Sequence, residues 1–395
     1  MRKFILFICF LFIPINVFAI DIDSKSGIVY NRNNDEILFE KNINDRLPIA
    51  SLTKIITTIV AIENIDNLDD TVMIDSDDLN FSRDYTNLEL KVGDVISYRD
   101  LLYGTIMKSA ADSSLALANN VFDDYDKFIN KMNELVSKLK LNNSHFSNPI
   151  GKDEDNYSSS YDLLVILDYA LDNPLFRQVY TTKNYKIVNL DKEISNNINK
   201  VIEKENIINN GIKYLGTKTG FTTMSGLSLS GLSNINNNEI ICVTLGASGE
   251  YKNYQHLKDN VSLLDYVKDN YSNRLVLEKD KLIDNINYNK RDKSYQYKVL
   301  SKDNHYYYLS NDFDINYLKV YYNGVVNIDS KSIKEGEKLG SIDVYYNDKK
   351  IVSEDVLFSK SNIVRSRFKY ESVLVIAVIA IIGLFIFRKD KHKKN

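Results

Sequence analysis

Ser51 and Lys54 are the two residues whose types and spacing most directly suggest covalent chemistry. Positions three apart share one face of a helix, so the Lys54 ammonium can reach the Ser51 hydroxyl. A serine opening a helix also meets free N–H groups and the positive end of the dipole, which favour a developing anion. Crowding and desolvation disfavour the charged ammonium, leaving a lysine able to act as a base. The S-x-x-K pattern recurs from Ser137 to Lys140. There it reads as the exposed face of a helix that buries Phe128, Met132, Leu135, Val136 and Leu139. Spacing alone does not make a site.

Two further groups accompany Ser51. Lys218-Thr219-Gly220 falls within the short segment Gly216 to Thr222, which leads into a strand pattern and suits a sheet edge. Lys218 offers positive charge and Thr219 a hydroxyl, a pair matched to a substrate carboxylate. Gly220 permits close backbone approach to a ligand. Ser109 falls at the junction of two helical patterns, with Asp112 expected as the N-cap of the second. Of the four histidines, His145, His256, His305 and His392, no two stand at metal-ligand spacing, which excludes H-E-x-x-H zinc chemistry. No G-x-S-x-G elbow is present either. Lysine is therefore the expected base, with no metal or cofactor.

The elements that must position these groups follow from periodicity. Gly27 to Tyr30 and Glu36 to Glu40 read as a hairpin. A helix is expected from Ser51 to about Glu63, and others over Tyr98–Met107, Asp112–Phe122, Tyr125–Leu139 and Tyr161–Leu171. Strands return at Ser225–Ser233 and Glu239–Ala247, followed by a helix at Tyr254–Asn270. Strand pairs bracketing a helical middle imply an α+β fold, one antiparallel sheet packed with helices, over residues 20–273. From 274 to 361 the runs are Tyr- and Val-rich and alternate, as at Tyr295 to Leu300 and Ile342 to Tyr346, implying a small all-β domain.

With 395 residues, 44% hydrophobic and 26% charged, the chain can bury a large core, and its net charge of -3 gives no reason to expect nucleic acid as a partner. Arg2 and Lys3 before the apolar run Phe4–Ile15, with Val17-Phe18-Ala19 behind it, predict a signal peptide over 1–19. Residues 372–387 form an apolar run, shorter than the usual span of about 20 residues, that Tyr370, Arg388 and Lys389 can extend. The basic tail 388–395 belongs on the cytoplasmic side, so a single-pass membrane anchor with everything before it extracellular is expected. Cys9 leaves with the signal and Cys242 reads as a buried strand residue, so no disulfide is expected.

The order S-x-x-K, then a serine on an inter-helix turn, then K-T-G resembles the penicillin-recognising serine enzymes. Arg46 to Lys54, Leu101 to Gly104, Phe146 to Gly151 and Tyr157 to Leu163 look like the low-molecular-mass D-alanyl-D-alanine carboxypeptidases among them. The resemblance covers residues 20–273. It implies a β-lactamase/transpeptidase-like fold, a β-rich second domain and a C-terminal transmembrane helix. It further implies that Ser51 attacks the D-Ala-D-Ala bond of peptidoglycan stem peptides, with Lys54 accepting its proton. Ser109 would relay that proton to the departing D-alanine. Lys218, Thr219 and Gly220 would bind the substrate's end, and the N–H groups of Ser51 and Phe221 the oxyanion. β-Lactams are the implied inhibitors.

One position departs from the family's S-x-N: the third residue is Ala111, which has no amide to steady the lysine or bond the substrate. Loss of one such partner costs about 3 kcal/mol, roughly a hundredfold in rate. A catalytically impaired peptidoglycan-binding protein and a β-lactamase are the alternative readings, although no E-x-x-L-N element is present to activate a deacylating water.

Overall fold

Five antiparallel strands organise the first part of the chain, in the spatial order Glu36–Lys41, Ser26–Asn31, Asn238–Ala247, Gly226–Ile235, Lys213–Thr222. The two chain ends of this region thus supply one sheet, and everything from residue 42 to 212 is inserted between the strands Glu36–Lys41 and Lys213–Thr222. The computed structural model describes residues 20–365, apart from 81–84, 153–154 and 291–292. The signal at 1–19, the anchor at 372–387 and the tail at 388–395 lie outside the described residues. No helix among the described residues is long and apolar enough to cross a membrane. The chain divides into two units between Tyr271 and Ser272.

Alternation along Asn238–Ala247 shows how the first unit is layered. Ile241, Val243 and Leu245 belong to a large core shared with the inserted helices. The intervening Thr244 bonds through its hydroxyl to the His256 carbonyl, so the opposite face carries the closing helix Gln255–Asn270. The inserted lobe contains α1 (Lys54–Asn64), α2 (Tyr98–Met107), α3 (Ala111–Asn120), α4 (Tyr125–Lys138), α5 (Ser160–Asp172), α6 (Pro174–Thr181) and α7 (Ile198–Lys204). Burial of every residue of α1 from Lys54 to Ile62 places it at the centre, against α2, α3, α4, α5 and α6. The short helices α6 and α7 and the ribbon Asn184–Ile187 with Lys192–Ser195 were not expected from periodicity. Each is too brief to show a repeat.

Two boundaries differ in ways that matter. Ser51 does not open the α-helix: Ala50–Thr53 forms a 3-10 turn, and α1 starts at Lys54. Asp112 is not the N-cap of α3, which is Ala110 without a side-chain cap. The Asp112 carboxylate instead accepts the N–H groups of Leu88 and Leu90 and sits 1% exposed.

The second unit has no α-helix among its described residues. A four-stranded sheet runs in the order Asn327–Asp329, Leu282–Lys290, Lys293–Leu300, Ile363–Arg365, and a three-stranded one in the order Leu318–Gly324, Lys338–Tyr346, Lys349–Leu357. Its core gathers Tyr297, Val299, Ile342, Val344 and Phe358, with the Tyr297 and Phe358 rings stacked at 5.5 Å. Tyr and Phe thus fill the place of the missing Trp.

The closing helix is tied to the sheet by a buried polar bond. Tyr214 donates its hydroxyl proton to Asn260 Oδ1 at 2.7 Å, and Asn260 Nδ2 donates to the Cys242 carbonyl. Removal of one partner from a buried pair costs about 1–3 kcal/mol. Tyr214→Phe is expected to lower the urea-unfolding free energy by that amount, and an unchanged midpoint would show the bond to be dispensable.

Candidate active site

The turn that carries Ser51 is pinned on both sides. Leu47 and Pro48 pair with Ser158 and Tyr157, which fixes the chain as it enters. Ala50 then takes a left-handed backbone at φ 47°, a conformation that costs a residue with a Cβ roughly 1–2 kcal/mol. Lys54, first residue of α1, is 1% exposed. Its Nζ donates to Ser51 Oγ at 3.1 Å and to the Ile150 carbonyl at 2.7 Å. The expected i, i+3 contact is present, although it bridges a 3-10 turn and an α-helix.

The Ile150 carbonyl is itself held in place. Asn148 Oδ1 accepts the N–H groups of Ile150, Gly151 and Lys152 at 3.2, 2.8 and 3.1 Å, folding the loop on itself. Asn156 Nδ2 donates to the Asn148 carbonyl at 2.8 Å and to Thr53 Oγ1 at 3.1 Å, which joins that loop to the Ser51 turn. Gly151 adopts φ 80°, and a Cβ there would stand 1.9 Å from the Ala50 carbonyl oxygen. Neither Asn148 nor Asn156 was singled out as a site residue. Their bonds go to backbone groups and, from Asn156, to the Thr53 hydroxyl, and leave no spacing to read.

Burial, and next the charge of Lys218, push the Lys54 ammonium well below its ordinary range, while Asp112 acts in the opposite sense. Lys218, also buried, donates to Ser109 Oγ at 2.8 Å and to the Thr219 carbonyl at 2.9 Å. Burial lowers its pKa to about 7. Ser109 follows the end of α2 at φ 59°, the left-handed position that ends many helices, and Lys108 and Ala110 both donate N–H to Gly104. This reversal turns the Ser109 hydroxyl towards the Lys213–Thr222 strand.

Ser51, Ser109, Lys218, Thr219 and Phe221 line one cleft of about 510 Å³. Lys54 and Gly220 are not among its lining residues. Gly220 serves a different contact from the expected one: its added Cβ would meet the Ile49 carbonyl oxygen at 2.6 Å and the Leu52 nitrogen at 3.4 Å. The close approach it permits in the fold is that of the sheet edge to the Ser51 turn. K-T-G is also not a short segment beside a strand but the middle of the ten-residue edge strand Lys213–Thr222. Tyr251, whose ring lies 6.0 Å from that of Phe221, and Asn196, bonded to the Thr217 carbonyl, complete the walls without any sequence signal.

Ala111 is fully buried in a small apolar cluster with Leu115 and Ile150. Where an amide would otherwise bond the lysine, the side chain is a methyl facing apolar neighbours. The second bond of Lys54 is donated to the Ile150 carbonyl.

Residues 14–249 match the family model for D-alanyl-D-alanine carboxypeptidase. The chain belongs to that family. Its members are serine-type peptidases, and so is this chain. The D-alanyl-D-alanine carboxypeptidase DacF of Bacillus subtilis is 26% identical over 354 residues, spanning 88% of this chain and 87% of the relative. A D-alanyl-D-alanine endopeptidase of Pseudomonas aeruginosa is 28% identical over 235 residues, spanning 59% and 74%. Penicillin-binding protein 5 of Haemophilus influenzae shares the fold with a TM-score of 0.63 at 24% identity, covering 88% of this chain and 98% of that one.

Gly220→Ala tests how the peptidase holds its turn. Two backbones would have to separate, and overpacking of this kind costs typically about 1–3 kcal/mol. Thermal unfolding is expected to shift downward accordingly; an unshifted transition would mean the edge strand has room to move.

Proposed function

We propose that this carboxypeptidase removes the terminal D-alanine of peptidoglycan stem peptides through an acyl-enzyme on Ser51. The observation that carries the reading is a lysine sealed from water, its pKa depressed, with its nitrogen 3.1 Å from a serine oxygen that faces a cleft. Neutral Lys54 takes the Ser51 proton as Oγ bonds to the carbonyl carbon of the penultimate D-alanine. The N–H groups of Ser51 and Phe221 receive the negative oxygen. The C–N bond breaks and the departing amine gains a proton by way of Ser109, which Lys218 orients. Lys218 and Thr219 hold the terminal carboxylate. Water then adds to the ester, Lys54 again accepting a proton, and Ser51 is released. β-Lactams acylate Ser51 by the same attack.

The same reading places the enzyme outside the cell, exported by residues 1–19 and held to the membrane by 372–387. The support is the apolar, basic-flanked composition of both ends. Protease shaving of intact cells is the check: loss of the catalytic unit supports it, and full protection contradicts it.

Ser51→Ala is expected to abolish D-alanine release from a peptide ending in D-Ala-D-Ala, together with labelling by fluorescent penicillin. A parent enzyme that binds such peptides without releasing D-alanine would favour the impaired binder instead.

The pH dependence has two limbs. Lys54 must be neutral to accept a proton, so kcat/KM rises as pH climbs through its depressed pKa. Lys218 must be charged to hold a carboxylate, so kcat/KM falls as pH climbs past about 7. A rate that keeps rising above pH 8 would contradict this division of roles.

A further inference from the structure

Strand pairing in the second unit fixes the direction in which the chain leaves it. Ile363–Arg365 runs antiparallel to Lys293–Leu300, with Ile363 opposite Tyr297 and Arg365 opposite Tyr295. The chain therefore departs towards the end of the unit marked by Lys290 and Lys293, the last pair between Leu282–Lys290 and Lys293–Leu300. Asn327–Asp329 runs parallel to Leu282–Lys290, and Ser330 donates its N–H to the Asn289 carbonyl, which brings the following loop to the same end. Lys360, whose N–H is donated to Glu335 Oε2, is tied to that loop.

Lys290, Lys331, Lys334, Lys360 and Arg365 are exposed here. None of the five pairs with a carboxylate among the described residues, unlike Lys319, Lys338 and Lys350 of the same unit. Asp329, Glu335 and Glu337 share this end, and each accepts a backbone N–H, from Lys331, Lys360 and Lys334 in turn. The sequence then adds Arg367 and Lys369 before its next acid, Glu371. At the opposite end of the same two strands, Lys279, Lys281 and Lys302 are balanced by Glu278, Asp280 and Asp303. Positive charge is thus collected at the end from which the chain departs.

We propose that this end of the second unit is a docking surface for the anionic lipid headgroups of the membrane that holds the anchor. The inference rests on the reading of residues 372–387 as a membrane anchor and deepens it by assigning a lipid class. Six residues, 366–371, separate Arg365 from that run. Fully extended they reach at most about 25 Å, so the basic end stays near the bilayer. That reach still exceeds the Debye length of about 8 Å within which exposed charges act at physiological salt. Contact therefore depends on the charges themselves. Each cation brought to an anionic surface shifts the contact equilibrium about fivefold.

The test reconstitutes the mature chain, residues 20–395, with a fluorophore on Ser332→Cys, the native Cys242 being buried. Vesicles are phosphatidylcholine alone or its mixture with phosphatidylglycerol, both carrying the same fraction of headgroup spin label as quencher. Quenching is expected to be stronger in the anionic vesicles and to fall to the phosphatidylcholine level at about 1 M salt, where the Debye length is about 3 Å. Lys290→Glu, Lys331→Glu and Lys334→Glu combined should abolish the difference, while Lys281→Glu, at the opposite end, should leave it in place. Thermal unfolding of each variant verifies that it is folded, and the salt arm needs only the labelled parent. Equal quenching in the two kinds of vesicle, or a difference that survives either high salt or the triple substitution, would overturn the inference. A chain that floats with neither kind of vesicle would instead overturn the anchor reading, and the inference with it.

Discussion

The burial of the Lys54 amine is the constraint on which the rest of the active site depends. An ammonium taken out of water without a counter-ion is costly enough that the group sheds its proton instead. The fold keeps Lys54 in that condition with α1 at the centre of the helical lobe, so that its first residue is covered from several sides. A carbonyl from the Asn148 loop then accepts one N–H, and the Ser51 oxygen accepts another. Lys218 adds a nearby positive charge that works in the same direction. Asp112 opposes it, with a carboxylate largely occupied by backbone N–H groups.

Three chain segments far apart in sequence meet at this point, and each is fixed by backbone geometry. The Ser51 turn is tethered by the Leu47–Pro48 pairing. Ser109 itself takes the left-handed conformation that reverses the chain between α2 and α3. Lys218 lies within an edge strand that can press against the Ser51 turn because Gly220 has no Cβ. The strained backbone at Ala50 and Ser109 flanks the reacting groups, an arrangement that surrounding packing must sustain. Function here is a matter of which surfaces are allowed to touch.

Much of this was legible beforehand. The central helices and the strands around Ser230 and Val243 carry long, regular apolar patterns, and the chemistry-bearing residues stand in a recognisable order. What escaped was local or distant. The 3-10 turn at Ala50–Thr53 breaks no periodicity, because Leu52 and Ile55 suit either helix. Asp112 has the residue type of an N-cap, yet the Leu88 and Leu90 amides compete for it, and tertiary contact prevailed over the local preference. Asn148 and Asn156 act through bonds to backbone groups and to the Thr53 hydroxyl, for which composition gives no sign. The loss of an amide at Ala111 reads in sequence as a gap, whereas the fold encloses the methyl among Leu115 and Ile150, and Lys54 donates to the Ile150 carbonyl.

The central claim concerns the protonation state of one nitrogen, which can be observed directly. NMR titration of the enzyme labelled with ¹³C at lysine Cε, the Lys54 signal assigned by its disappearance in Lys54→Arg, reports that state against pH. A Lys54 resonance that loses its proton well below the ordinary lysine range is the predicted result. A resonance that remains that of an ammonium up to the ordinary lysine range would contradict the account.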